Sequence, residues 1–185
     1  MKMSGEQLLS EQREAVWAAL NDVEVLARCI PGCESLTRAE DDVLVAVATI
    51  KVGPVKARFR GRITLSDMVP PESYVISGQG QGGAAGFAKG SASVMLEETA
   101  EGTRLSYEVT ASLGGRLAQL GARLIDATAK KLADEFFANF AAELSPAKPP
   151  EEEIAAAAGG GLSVALWISG LVLLVLASLA LFAWW

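Results

Sequence analysis

Polar and apolar residues alternate along VKARFRGRITL, with Val55, Ala57, Phe59, Gly61, Ile63 and Leu65 on one face and Lys56, Arg58, Arg60, Arg62 and Thr64 on the other. A period of two is the mark of a half-buried antiparallel strand. TRLSYEVTASL, residues 103–113, repeats the pattern with Leu105, Tyr107, Val109, Ala111 and Leu113 inward. Residues 44–52 and 73–77 predict further strands, and residues 3–9 a weaker one. Between the first strand and the rest, Ser10 is expected to cap a helix reaching about Leu20. Asp22 is expected to cap a shorter helix that stops at Pro31-Gly32.

From Arg116 to Leu144 the period changes. Leu117, Leu120, Leu124, Ala129, Leu132, Phe136, Phe140 and Leu144 recur every three to five residues, which predicts a helix of about 40 Å with one apolar stripe. Asp126 and Lys130 stand one turn apart on its polar side. Such a helix buries its stripe only by lying across the sheet, so the fold class is α+β over residues 1–144.

Residues 145–161, SPAKPPEEEIAAAAGGG, cannot bury a core and read as a linker, with an end-to-end distance of about 20 to 25 Å as a flexible coil. The 24 residues from Leu162 to Trp185 carry no charge, and 13 of them are Leu, Val, Ile or Phe. As a helix they would measure about 36 Å, enough to cross a hydrocarbon core of about 30 Å. Trp167, Trp184 and Trp185 lie near its ends, where indole rings favour the headgroup level. A C-terminal transmembrane helix is therefore expected. The N-terminal residues show no apolar signal region, so the expected location is the cytoplasmic membrane, with the globule on the cytoplasmic side.

Composition removes several chemistries. The formal charge is −6 and the chain has no histidine. The first argues against a nucleic-acid partner, and the second takes away the commonest general base and metal ligand. Cys29 and Cys33 match neither a C-x-x-C pair nor a disulfide framework, and read as reduced thiols. Gly78, Gly80 and Gly83 satisfy G-x-G-x-x-G, but a dinucleotide site needs a helix after the glycines. Here Ala92, Val94 and Leu96 continue as a strand, so the glycines are expected to let a strand bend and bulge. They would also clear space for a helix or ligand above the sheet.

VWAALNDVEVLARCIPGCESL, VGPVKARFRGRITLSD, GQGGAAGFAKGSASVMLEE and LGARLIDATAKKLADEFFANF together resemble the G-subunit family of carbon monoxide dehydrogenase, within the START-like (SRPBCC) helix-grip superfamily. The likeness covers about Met3 to Leu144, and the combination of Ile30-Pro31-Gly32-Cys33 with Gly86-Phe87-Ala88-Lys89-Gly90 is its specific part. The resemblance implies an antiparallel sheet wrapped around a long C-terminal helix, with an apolar cavity between them. It implies no enzyme activity and no covalently bound cofactor. Its implied role is that of an accessory protein bringing a molybdenum hydroxylase such as carbon monoxide dehydrogenase to the membrane.

A quinone is the expected cavity ligand, because electrons leaving such an enzyme need an apolar acceptor from the membrane lipid. The expected lining is Phe59, Ile63, Tyr74, Ile76, Phe87 and Tyr107 from the sheet, with Leu120, Leu124 and Phe136 from the helix. A tyrosine hydroxyl would orient a carbonyl. Lys56, Arg58, Arg60 and Arg62 form a basic row that could steer an acidic partner or lie against anionic lipid. Glu40 to Asp42 and Glu97-Glu98 read as solvated ends of elements. Lipid transfer, or a cyclase or hydrolase of the same fold, are the alternative functions. The permanent span disfavours the first, and the lack of histidine and of a nucleophile disfavours the second.

Overall fold

Residues 1–145 are described by the structure, a computed structural model. Its strands are β1 (Lys2–Leu9), β2 (Cys33–Glu40), β3 (Val43–Val52), β4 (Val55–Val69), β5 (Ser73–Gln81), β6 (Phe87–Thr99) and β7 (Gly102–Gly114). The helices are α1 (Arg13–Leu20), α2 (Val23–Cys29) and α3 (Ala122–Leu144). The strands form one sheet in the order β1-β7-β6-β5-β4-β3-β2, antiparallel throughout. Short turns make β2 to β7 a meander, because sequential strands joined this way pair as neighbours. β1 completes the sheet on the far side of β7, after which α1 and α2 cross the sheet and bring the chain to the opposite edge.

Two helix starts differ in their chemistry. Asp22 caps α2, accepting hydrogen bonds from the backbone N–H groups of Glu24 and Val25 at 2.8 and 3.2 Å. Ser10 does not cap α1. That helix begins at Arg13 after Gln12, and the Ser10 hydroxyl donates to Glu11 instead.

The long C-terminal helix is shorter than its hydrophobic period predicts. Gly121 sits at φ +83° and separates α3 from a single 3-10 turn, Ala118–Leu120. Leu117 and Leu120 therefore precede the helix, and α3, with 23 residues, measures about 35 Å. Lys130 pairs forward with Asp134 at 3.0 Å rather than back with Asp126.

β2 has no counterpart in the predicted strands. Only Leu36 of its eight residues is buried, as suits an edge strand, and register shifts at both ends break its alternation. β5 in turn runs through Gly78 and Gly80 to Gln81 in unbroken register with both neighbours. The bulge expected among those glycines is absent, and the irregularity between β4 and β5 lies at Ser66–Val69 instead. The glycines lead through one 3-10 turn, Gly83–Ala85, directly into β6, so no helix stands where a dinucleotide phosphate would bind.

All three helices cover one face of the sheet. The larger core cluster joins Leu9, Leu65, Tyr74, Val94, Leu96 and Leu105 to Val16, Leu20, Cys29 and Phe140. A second cluster, Val52, Leu117 and Ile125 with Phe59, Leu113 and Leu120 packed on it, closes the end where the β3–β4 hairpin meets the start of α3. Among the described residues no helix is long and apolar enough to cross a membrane. The linker and the expected span at 162–185 lie outside the described residues.

Candidate functional site

Between the two clusters the inner face of the sheet is thin. Gly61 stands opposite Gly80, and Gly78 opposite both Ile63 and Gly90. Residues directly opposite in an antiparallel pair share a face, so this strip projects almost no side chain toward α3. The backbone of α3 comes close to β1 and β3 at the flanks, while the middle strands stay further off. Space is left beneath the helix.

Two adjoining hollows lie to one side of this strip, among residues of the larger cluster, and none of the four glycines lines either. One, about 210 Å³, lies under α3 among Met3, Ile76, Ala92, Val109, Ala133 and Phe137. The other, about 150 Å³, reaches toward α2 among Leu26, Ile30, Leu36, Leu44, Ile63 and Leu65. Leu20, Tyr74, Ile76 and Phe136 wall both. Taken together they fall near the lower end of the roughly 300–1,000 Å³ of small-molecule sites. A larger trough of about 660 Å³ runs over the opposite face, floored by Ser4, Glu6, Ser73, Ser93, Ser106 and Glu108. Val75 and Met95 stand among these polar groups, so its floor alternates polar and apolar side chains, whereas the inner hollows are almost wholly apolar.

Tyr74 is the polar group at the junction of the two inner hollows. The residue is 4 % exposed, and burial pushes its phenol well above the ordinary tyrosine range. Its ring meets the Trp17 indole edge-on. On α3, Phe136 stacks on Phe140 at 5.8 Å and meets Phe137 at right angles, and Phe137 stacks on Tyr107 at 5.2 Å. This aromatic run holds the helix side of the hollows in place.

The expected cavity residues separate into three groups. Ile63, Tyr74, Ile76, Tyr107 and Phe136 line the hollows. Phe59, Leu120 and Leu124 belong to the second end of the domain: Phe59 and Leu120 pack on the second cluster, and a Cβ on Gly53 would meet Leu124 at 2.6 Å. Phe87 is a correction. It is 43 % exposed on the outer face, because Ala88, Gly90, Ala92, Val94 and Leu96 take the inward positions of β6. Its ring covers Gly114, its register partner in β7. Sequence reasoning left Leu20, Leu36 and Leu44 out of the lining. No strand was expected at Leu36, and nothing in the spacing said that two short helices would wall a hollow.

The basic row takes the exposed face that the alternation predicts, with unequal charge along it. Lys56, Arg58, Arg60 and Arg62 all lie exposed on the outer face of β4, but Arg58 pairs with Glu34 at 2.6 Å and Arg62 with Glu40 at 2.8 Å, both across β3. The Thr49 hydroxyl also donates to Glu34 at 2.7 Å. Thr49 and then Arg58 hold the Glu34 carboxyl below its ordinary range. Half the row is thus locally neutralised by an edge strand that the hydrophobic pattern did not predict. The acidic stretches are not merely solvated either: Glu98 pairs with Arg13 and Glu97 with Arg104.

Cys29 is fully buried and Cys33 half-buried, both as free thiols, and burial raises both above the ordinary range. That disfavours the reactive thiolate. No group of Cys, Asp and Glu placed to hold a metal occurs among the described residues.

Comparison with known proteins agrees with this geometry. The family of the carbon monoxide dehydrogenase G-subunit, CoxG, matches residues 5–145. No curated protein matches the chain. Among solved structures it is similar to a conserved protein of Geobacillus kaustophilus, at 32 % identity and a TM-score of 0.74, over 78 % of this chain and 95 % of that one. It is also similar in fold to a protein of Thermus thermophilus, at 16 % identity and a TM-score of 0.60, over 78 % and 97 %. A protein of Rhizobium leguminosarum matches at 14 % identity and a TM-score of 0.60, over 78 % and 93 %. The seven-stranded antiparallel sheet closed by its C-terminal helix is the helix-grip arrangement.

Proposed function

The chain belongs to the CoxG family, that of the carbon monoxide dehydrogenase G-subunit, and from that premise we propose that it is a non-catalytic accessory of a membrane-associated molybdenum hydroxylase. In this reading the helix-grip domain holds an apolar carrier, a quinone, close to the docked enzyme, and the C-terminal residues 162–185 keep it at the cytoplasmic membrane. The observation that carries the reading is the pair of apolar hollows meeting at Tyr74. Their walls are mostly Leu, Ile, Val and Phe side chains, with Asn21 and Arg38 also lining the smaller hollow, and the tyrosine shared by both can donate to a carbonyl. A ring with two carbonyls and an isoprenoid chain fits that chemistry: apolar contact supplies affinity, and one buried hydrogen bond supplies orientation.

An uncharged C-terminal segment long enough to span a bilayer supports the location. An anchored holder exchanges a carrier with the lipid beside it and does not need to ferry it between membranes. The test is organic extraction of the full-length protein purified from its native membranes in mild detergent, followed by chromatography of the extract. About one quinone per chain is expected, and Ile76→Trp, which fills the junction, should lose it. An extract empty of quinone removes the carrier from the reading. Failure of a molybdenum hydroxylase to co-purify removes the recruitment.

A further inference from the structure

The domain is electrically bipolar along its long axis. No Asp or Glu occurs between Val43 and Ser66, between Ser73 and Leu96, or between Val109 and Ile125, yet these segments carry eight of the chain's 16 Lys and Arg; the carboxylates nearest them include Glu34, held by Arg58, and Asp126 near the start of α3. The fold brings their tips to one end. The β3–β4 turn at Gly53 packs on Leu124, the Leu117 N–H donates to the Ala85 carbonyl at 3.1 Å, and the second core cluster ties the group together. With Arg58 and Arg62 paired to β2, the six remaining bases there are Lys51, Lys56, Arg60, Lys89, Arg116 and Arg123. All six are exposed, and none is in an ion pair among the described residues.

Lys51 and Lys56 are direct register partners. Like charges placed opposite each other are destabilising, and here no carboxylate relieves them. The other end of the sheet holds the β2–β3, β4–β5 and β6–β7 turns, with Asp41, Asp42, Glu72 and Glu101.

The geometry points to this basic end as a docking face for an anionic lipid surface, with the domain standing on its β3–β4 tip and its acidic turns away from the bilayer. The same field does both jobs: a negative membrane surface attracts the tip and repels the opposite end, so it orients the domain as well as binding it. Phe87 stands exposed at this end, where an aromatic ring can enter the headgroup layer. α3 runs from the basic end to the acidic one, so the described chain finishes at Ser145 about 35 Å from the tip. The 16 residues from 146 to 161 could extend at most about 55 Å, enough for the anchor proposed at 162–185 to reach the same bilayer.

This inference rests on the reading that the domain works at a membrane, and it is tested without the C-terminal segment so that the two can fail separately. Residues 1–145 lie within one compact unit that holds the whole sheet and both core clusters, and the match covers 95 % of the Geobacillus kaustophilus chain. Residues 1–145 should co-sediment with vesicles of equal parts phosphatidylcholine and phosphatidylglycerol at low ionic strength. They should not co-sediment with vesicles of phosphatidylcholine alone, and added salt should release them. At about fivefold per base near an anionic surface, the triple variant Lys51→Glu, Lys56→Glu, Arg60→Glu should bind at least about a hundredfold more weakly.

The charge-matched control Arg104→Glu, Lys130→Glu, Lys131→Glu alters bases outside the tip and should bind nearly as well as the parent. Circular dichroism and thermal melting verify that both variants fold. Equal losses in the two variants would mean that net charge, not the tip, governs binding, and would overturn the proposal. Absence of binding to the anionic vesicles would overturn it as well and would leave the basic end to an acidic protein.

Discussion

Tyr74 and Trp17 meet edge to face, ring centroids 5.4 Å apart and planes at 89°, so α1 holds the one tyrosine that walls both inner hollows. Burial raises the folded-state pKa of Tyr74 above its unfolded value of about 10. The stability linked to the neutral phenol is therefore complete below about pH 10 and declines as pH rises beyond it, because the unfolded chain ionises first. Denaturant titrations above pH 10 should show this decline in the parent and a flatter profile in Tyr74→Phe. Identical alkaline profiles would place the hydroxyl in water.

Phe140 and Phe87 lie at opposite extremes of one residue type. Phe140 is 0 % exposed and stacks on Phe136, so Phe140→Ala should cost about 3–5 kcal/mol in urea unfolding. Phe87 covers only a glycine on the outer face, and Phe87→Ala should cost about 1 kcal/mol or less. It should also leave the quinone content of the purified protein unchanged, an outcome that the cavity role expected from sequence would not allow.

A Cβ on Gly82 would fall 2.5 Å from Phe59 Cε1. Gly82→Ala must displace that ring and should cost about 1–3 kcal/mol. In a Phe59→Ala background most of the cost should vanish, giving a coupling of about 1 kcal/mol or more in a double-mutant cycle. Additive costs would show that the glycine serves the backbone alone.

Glu34 accepts from Thr49 and from Arg58 at 2.7 and 2.6 Å, and both lower its pKa. Carbon-detected NMR titration should find it ionising below the ordinary glutamate value of about 4.3. Thr49→Val and Arg58→Ala should each move it upward. As pH falls through the depressed value the carboxylate is protonated and its bond to Arg58 is lost, so any stability from this edge contact is present above that pH and absent below it.

The strand alternation of β4 and β7 was readable residue by residue, and with it the inward positions of Ile63, Tyr107 and Leu105. The apolar stripe from Leu124 to Leu144 and the Asp22 cap were legible for the same reason, since each depends on spacing within a few residues. Phe87 was readable too: the alternation of Ala92, Val94 and Leu96, extended back by two further positions, puts it outward. Ser10 misled because a capping residue type does not say where the first helical turn closes.

Sequence alone determined which residues turn inward along β4 and β7, the antiparallel α+β class, and the uncharged C-terminal stretch, because periodicity and composition are properties of neighbours along the chain. Only the tertiary structure decided that β2 would neutralise Arg58 and Arg62, that Leu20 and Tyr74 would wall two hollows, and that three acid-free segments would converge on one end. Those outcomes depend on which strands lie side by side and how far a helix stands from a sheet, distances set by contacts between residues tens of positions apart.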